Sequence, residues 1–390
     1  MISRSTQLAA HVLAISLASL GSCPLVACSA PAPEDATRRD LPPIDDDGGP
    51  AEETIDTGAT IDGADAASAS DAGVDAVVPD IAPPSRTADK RAAILDFLRG
   101  LSGHKTLVGI ENKNAGTPTS DTDAITGIAG KVPSFWGGDF GFGSGAVGDR
   151  GKLIAEAKRQ FERGALVGLM YHACAPNRDE YCSWDDIGAS KHAQLSDAEF
   201  TELVTPGTTL NAAWIARLDT LAGFFRELKS AEVVVLFRPL HEMNQCVFWW
   251  SCHKGPNGSS KLFQLTHDYL TKTKGLDNII WVWNVQDFTT LASDVDAYSP
   301  GTTYFDIAAL DVYNTGYTQT NYDTMLKVAA GKPIAIAECQ FMPTSTLLGS
   351  QNKWLYAMLW PDFIDENRSS LSALYHASNV LTLDAMPGWK

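Results

Sequence analysis

The chain has 390 residues, 44% of them hydrophobic, and a formal net charge of −17. That length supplies a full core for one large or two medium domains. With no basic patch to meet a phosphate backbone, nucleic acid is excluded as a partner.

The first residues differ from the rest. Arg4 leads into an apolar stretch at 8–20, too short to span a bilayer as a mature helix, which reads as a secretory signal. The stretch closes on Leu25-Val26-Ala27-Cys28, which resembles the bacterial lipobox. Residues 1–28 are therefore expected to be a lipoprotein-type signal peptide with lipidation at Cys28. The product would be an exported protein held at the cell surface or outer membrane. Ordinary cleavage near Ala27 or Ala30, giving a free secreted protein, is the other reading.

Residues 29–89 are rich in Ala, Asp, Pro and Gly and lack aromatics; from 31 to 90 fifteen acids face four bases, −11 of the formal −17. Such a segment cannot bury enough apolar surface to offset its ordering entropy, which predicts a disordered acidic linker. The acidity thus describes the linker more than the folded part.

From residue 90 onward, short apolar runs alternate with amphipathic stretches. Strands are predicted at 106–111, 133–140, 165–172, 233–241, 278–284, 305–313, 333–338 and 354–360. Helices are clearest at 150–163 and 211–229, the second with apolar residues at 214, 215, 218, 221, 222, 225 and 228. Apolar strands alternating with helices imply a parallel sheet covered on both faces. Eight repeats in roughly 300 residues fit a single (β/α)₈ TIM barrel over 90–390. A doubly wound open sheet is the alternative, but the glycine-rich phosphate loop of many such folds is absent.

The predicted strands end in polar or aromatic residues: Glu111 and Asn112, Asp139, His172, His241 and Glu242, Trp283 and Asn284, Asp311 and Tyr313, Glu338, Trp360. A barrel gathers these ends on one face, where active sites are built. Asn112 and Asp139 read as rim residues, Trp283 as either core or substrate contact, and Asp311 as structural. Of the seven cysteines, Cys174 and Cys182, and Cys246 and Cys252, form close pairs suited to local disulfides in an exported protein. Metal ligation is the alternative, although neither pair has C-x₂-C spacing. Cys339 is left as an odd thiol.

Glu242 and Glu338 end the fourth and seventh strands. Glycosidic hydrolysis uses one carboxyl to protonate the leaving oxygen and a second to meet the oxocarbenium-like carbon. On residue type alone each could equally be a salt-bridged structural acid. Their neighbourhoods carry more. "FRPLHEMN" with the following "FWW", "KPIAIAE" at 332–338, "NIIWVWN" and the closing "HASNVLTLDAMPGW" resemble glycoside hydrolase family 26, the β-mannanase family of a retaining (β/α)₈ clan. The likeness runs from about residue 95 to the C-terminus.

The resemblance implies Glu242 as general acid/base and Glu338 as nucleophile of a retaining endo-β-1,4-mannanase acting on mannan, galactomannan or glucomannan. It implies that Arg238 lies beneath Glu338, that Tyr313 donates to Glu338, and that His172, His241 and Trp360 meet the sugar. Trp249 and Trp250 would line the cleft with flat apolar faces. No cofactor and no metal are implied; the partner is a polysaccharide, the membrane is reached only through the lipid, and the chain acts as a monomer. Gln245-Cys246-Val247, Cys339-Gln340-Phe341 and the Cys174/Cys182 loop depart from the family's pattern beside the sugar subsites. The alternatives are therefore another β-glycan, such as mixed-linkage glucan or β-1,3-xylan, or a non-catalytic glycan-binding lipoprotein.

Overall fold

The computed structural model describes residues 86–187 and 194–389. The expected signal peptide, lipidated Cys28 and most of the expected linker lie outside the described residues. The linker's expected end at 89 is corrected. A helix, α1, already runs over Arg86–Leu101 and buries Thr87, Ile94, Leu95, Leu98 and Leu101.

Eight strands follow: β1 (Thr106–Asn112), β2 (Phe135–Asp139), β3 (Leu166–Tyr171), β4 (Val235–Pro239), β5 (Ile279–Gln286), β6 (Ile307–Val312), β7 (Ile334–Cys339) and β8 (Trp354–Leu359). Each pairs in parallel with the next, and β8 pairs with β1 to close the ring. Every residue of these strands is buried, which is why they read as continuous apolar runs. A ninth two-residue strand, β9 (Val380–Leu381), pairs with Thr106 and Leu107 of β1.

The helices lie outside the ring. The helix Thr209–Ser230 buries Trp214, Leu218, Leu221, Ala222, Phe225 and Leu228, six of the seven positions its periodicity marks. Large side chains so buried contribute roughly 1.5–3 kcal/mol each. The same helix buries Arg217, whose guanidinium donates to the carbonyls of Cys174, Ala175, Arg178 and Asp179. A cation on a helix thereby shapes the loop that follows β3.

Two local features aim side chains toward the C-terminal ends of the strands. Gly137 in β2 leaves room for Glu111, since a Cβ there would come within 2.3 Å of Glu111 Oε2. In β7, Ile336 faces Leu310 while Glu338 faces Asp311, so one extra residue is accommodated just before Glu338. Bulges of this kind re-aim a side chain next to an active site.

Candidate active site

Arg238, near the end of β4, is buried at the centre of the site. Its Nη2 donates to Glu338 Oε1, and its Nη1 donates to Asp311 Oδ2 at 3.1 Å. Burial disfavours the guanidinium charge, but Glu338 and Asp311 outweigh it and hold the proton more firmly than usual. Tyr313, just past β6, donates its hydroxyl to Glu338 Oε2 at 2.8 Å. Glu338 therefore has a separate donor on each oxygen.

Glu242 is held differently. Its carboxyl has no hydrogen-bond partner among the described residues, while its N–H donates to Asn284 Oδ1 at 2.8 Å. Asn284 in turn donates to Asp311 Oδ1 at 2.9 Å. Burial, then the charges of Asp311 and Glu338, push the Glu242 carboxyl well above the usual range; Arg238 opposes this only in part. Asp311 is likewise raised, by burial first and Glu338 second.

One carboxylate oxygen each from Glu242, Asp311 and Glu338 lies within 4.8 Å of the other two. That spacing suits direct attack by one acid, whose partner typically lies about 5–5.5 Å away, and not the roughly 6.5–9.5 Å that leaves room for an intervening water. Such a trio could also share a cation, and residues so distant in sequence show no ligand spacing. Arg238, itself a cation, is bonded to two of the three acids, Asp311 and Glu338.

The chain leaving β4 is wrung into this position. Leu240 and Glu242 both have φ of 51° and Cys246 and Cys252 have φ of 61° and 63°, left-handed values that L-residues adopt at some expense. The segment is fixed by Gln245 N–H to Glu242 O at 2.9 Å and Cys252 N–H to Met243 O at 2.8 Å. A disulfide joins Cys246 to Cys252, and a second joins Cys174 to Cys182. Cys339 is free and buried; burial pushes its thiol up to about 12.

Here two expectations are corrected. Trp249 and Trp250 are fully buried and offer no face to a ligand. Trp249 Nε1 donates to Ala173 O and Trp250 Nε1 donates to His241 O, both at 2.7 Å. Trp250 stacks on Phe248, and both rings pack against His241. These tryptophans are the interior of the acid loop. Trp283 is core as well, and the rim reading of Asn112 and Asp139 also fails. Asn112 is buried and donates to Thr122 Oγ1 and Gly137 O, both at 3.0 Å.

Asp139 lies 2.8 Å from His172 Nδ1 and accepts the His172 N–H at 3.2 Å. Burial works to raise its carboxyl, yet His172 and the N–H groups of Gly141 and His172 hold it below the usual range. His172 meets His241 edge-on at 4.5 Å between ring centres. His241 is kept neutral, its pKa driven well down by burial first, then by His172 and Arg238. Trp360 is half-buried, with its ring centre 6.4 Å from that of His172.

The exposed aromatic beside these histidines is Trp184, 46% exposed, with its ring 6.0 Å from both His172 and Phe248. Its only sequence signal was its place two residues after Cys182. Asp287, which organises the turn after β6, was also missed.

A closed parallel barrel carrying a neutral acid and a doubly pinned carboxylate at its strand ends is the arrangement of a (β/α)₈ glycoside hydrolase. The chain belongs to glycosyl hydrolase family 26, whose model matches residues 83–385. It is 31% identical to a mannan endo-1,4-beta-mannosidase of Thermothelomyces thermophilus, over 79% of this chain and 63% of that protein. A mannan endo-1,4-beta-mannosidase of Bacillus subtilis strain 168 is 29% identical, over 67% of this chain and 75% of its own length. Among solved structures, GH26A from Muricauda sp. MAR_2010_75 superposes with a TM-score of 0.72 at 33% identity, covering 76% of this chain and 97% of that one. The beta-mannanase of a symbiotic protist of the termite Reticulitermes speratus, complexed with gluco-manno-oligosaccharide, gives 0.64 at 25% identity, covering 78% and 96%. The chain thus spans just under two thirds of the Thermothelomyces protein.

Proposed function

We propose that this chain is a retaining endo-β-1,4-mannanase that cleaves β-mannosidic bonds in mannan, galactomannan and glucomannan. The single observation that carries the mechanism is the contrast between two acids only a few ångströms apart. Neutral Glu242 gives its proton to the glycosidic oxygen as the leaving sugar departs. Glu338 forms a bond to the anomeric carbon, giving a glycosyl ester on the enzyme. Glu242, now a carboxylate, takes a proton from water, whose oxygen attacks that carbon and frees Glu338. Arg238 and Tyr313 hold the nucleophile, while His172, His241 and Trp360 contact the sugar beside it. The choice of mannan rests on the named activity of the relatives.

The same reading has the enzyme exported and held by a lipid on Cys28. It is supported by the N-terminal sequence and by two disulfides, which persist in oxidising compartments.

The test is reducing-end release by the full chain from β-mannan, glucomannan, mixed-linkage β-glucan and β-1,3-xylan. Release is expected from the mannans, with a loss of about 10⁴-fold or more in Glu338→Ala. Near wild-type activity in that variant, or tight binding with no new ends, overturns the mechanism. Preferential release from another glycan overturns the substrate.

A further inference from the structure

Asp287 directly follows β5 and is fully buried. Its Oδ1 accepts from the backbone N–H groups of Tyr313 and Asn314, both at 2.9 Å, and from the Asn314 side-chain amide at 3.1 Å. Its Oδ2 accepts from the N–H groups of Thr315 and Gly316, both at 2.7 Å. The Thr315 hydroxyl donates to the Asp287 carbonyl at 2.7 Å, and the Asp287 N–H donates to Asp311 O at 3.0 Å. One carboxylate thus gathers four consecutive main-chain donors of the turn leaving β6. Hydrogen bonds to a charged acceptor are roughly twice as strong as neutral ones, so four of them dictate the path of that turn.

The turn begins with Tyr313, whose hydroxyl holds Glu338. We infer that Asp287 is a positioning residue for the nucleophile, fixing the backbone from which Tyr313 reaches the Glu338 carboxylate. It makes no hydrogen bond to Glu338 and acts through the tyrosine. The inference rests on the assignment of Glu338 as nucleophile.

A pH profile separates placement from charge. Glu338 faces Arg238 and Tyr313 directly, with Asp311, Glu242 and, from β1, Glu111 as further charged or titratable neighbours. Asp287 adds negative charge to that group. Removing only the charge would favour the ionised nucleophile and move the acidic limb of kcat/KM down. Losing the placement of Tyr313 removes a donor from that ionised form and moves the limb up.

The experiment compares wild type, Asp287→Asn, Tyr313→Phe and their double variant. Asp287→Asn is expected to lower kcat on the order of 10- to 100-fold with little change in KM. Its acidic limb should move up, as in Tyr313→Phe, and the double variant should be no worse than the poorer single one. An unmoved or lowered limb, or losses that multiply, overturns the inference. Thr315→Val, which removes the hydroxyl that donates to the Asp287 carbonyl and accepts from the Asn321 amide but leaves the carboxylate and its four main-chain donors in place, decides the matter should Asp287→Asn not fold. It should give a smaller loss with the same upward shift, absent in the Tyr313→Phe background; multiplying losses again overturn it. Glu338→Ala runs alongside. Activity there overturns the nucleophile itself, whereas an inactive Glu338→Ala beside an unshifted Asp287→Asn overturns only the positioning role.

Discussion

The ends of β4 and β7 solve opposite problems with the same side chain. At the β7 end, Glu338 stands in a strand that continues one residue further, and two donors from neighbouring elements reach its oxygens. At the β4 end, Glu242 stands beyond the strand in left-handed backbone, its carboxyl without a hydrogen-bond partner among the described residues and surrounded by burial and negative charge. Surroundings rather than residue type thus set the two apart: one carboxyl has a donor on each oxygen, and the other is pushed toward its protonated form by burial and neighbouring charge. The braced site needs cross-strand donors. The acid site needs a loop that stays contorted, which is the service of the tryptophans and the disulfide.

After Glu338→Ala, the contrast is broken most severely by Glu242→Ala. Loss of a general acid costs about 10²- to 10⁴-fold on polysaccharide. In kcat/KM, which reports only the first step, substrates with a good leaving group that needs no proton should suffer far less, as an aryl mannoside would reveal. Equal losses on both substrates would deny Glu242 its role. Asp311→Asn is a gentler probe. Glu242 is raised by burial and next by Asp311, so removing that charge lowers its pKa. The acid then loses its proton at lower pH, and the alkaline limb of kcat/KM should move down, while Glu242→Ala should flatten that limb altogether. A limb that stays put would detach Asp311 from the acid.

The smallest effect sharpens the role of the loop. Cys246→Ser/Cys252→Ser should lower stability by about 2 kcal/mol, the entropy of so short a closed ring. It should also cut kcat by roughly tenfold as Glu242 relaxes from its left-handed geometry. Opening the Cys174–Cys182 ring should cost similar stability, read by thermal unfolding, with less loss of kcat. That loop is held besides by Arg217 on four carbonyls.

The barrel was legible because eight apolar runs separated by helical or helix-length segments, each with a polar or aromatic end, leave few ways to fold. That Arg238, Glu242 and Glu338 meet at the strand ends was legible because R-P-x-H-E-x-N at a strand end is chemically unusual, while the weaker motif at Glu338 gained its force from order and spacing. Trp249 and Trp250 were misread because an aromatic after a strand looks the same whether the loop turns outward or folds back over it. Backbone inversions at Leu240 and Glu242, which decide between those cases, leave no mark in composition. Asp287 escaped for a related reason. Its partners are main-chain N–H groups, which every non-proline residue carries, so only their convergence in space reveals them.

Helix α1 has a practical consequence for anyone wishing to trim the chain to its smallest folded form. A cut at residue 90 would remove Thr87, whose hydroxyl donates to Asp277 at 3.0 Å, and Arg86, which pairs with Glu232 at 2.8 Å. It would also leave Lys90, the other cation on Glu232, at a raw chain end. The safe boundary for such a truncation lies no later than residue 83, where the family match begins.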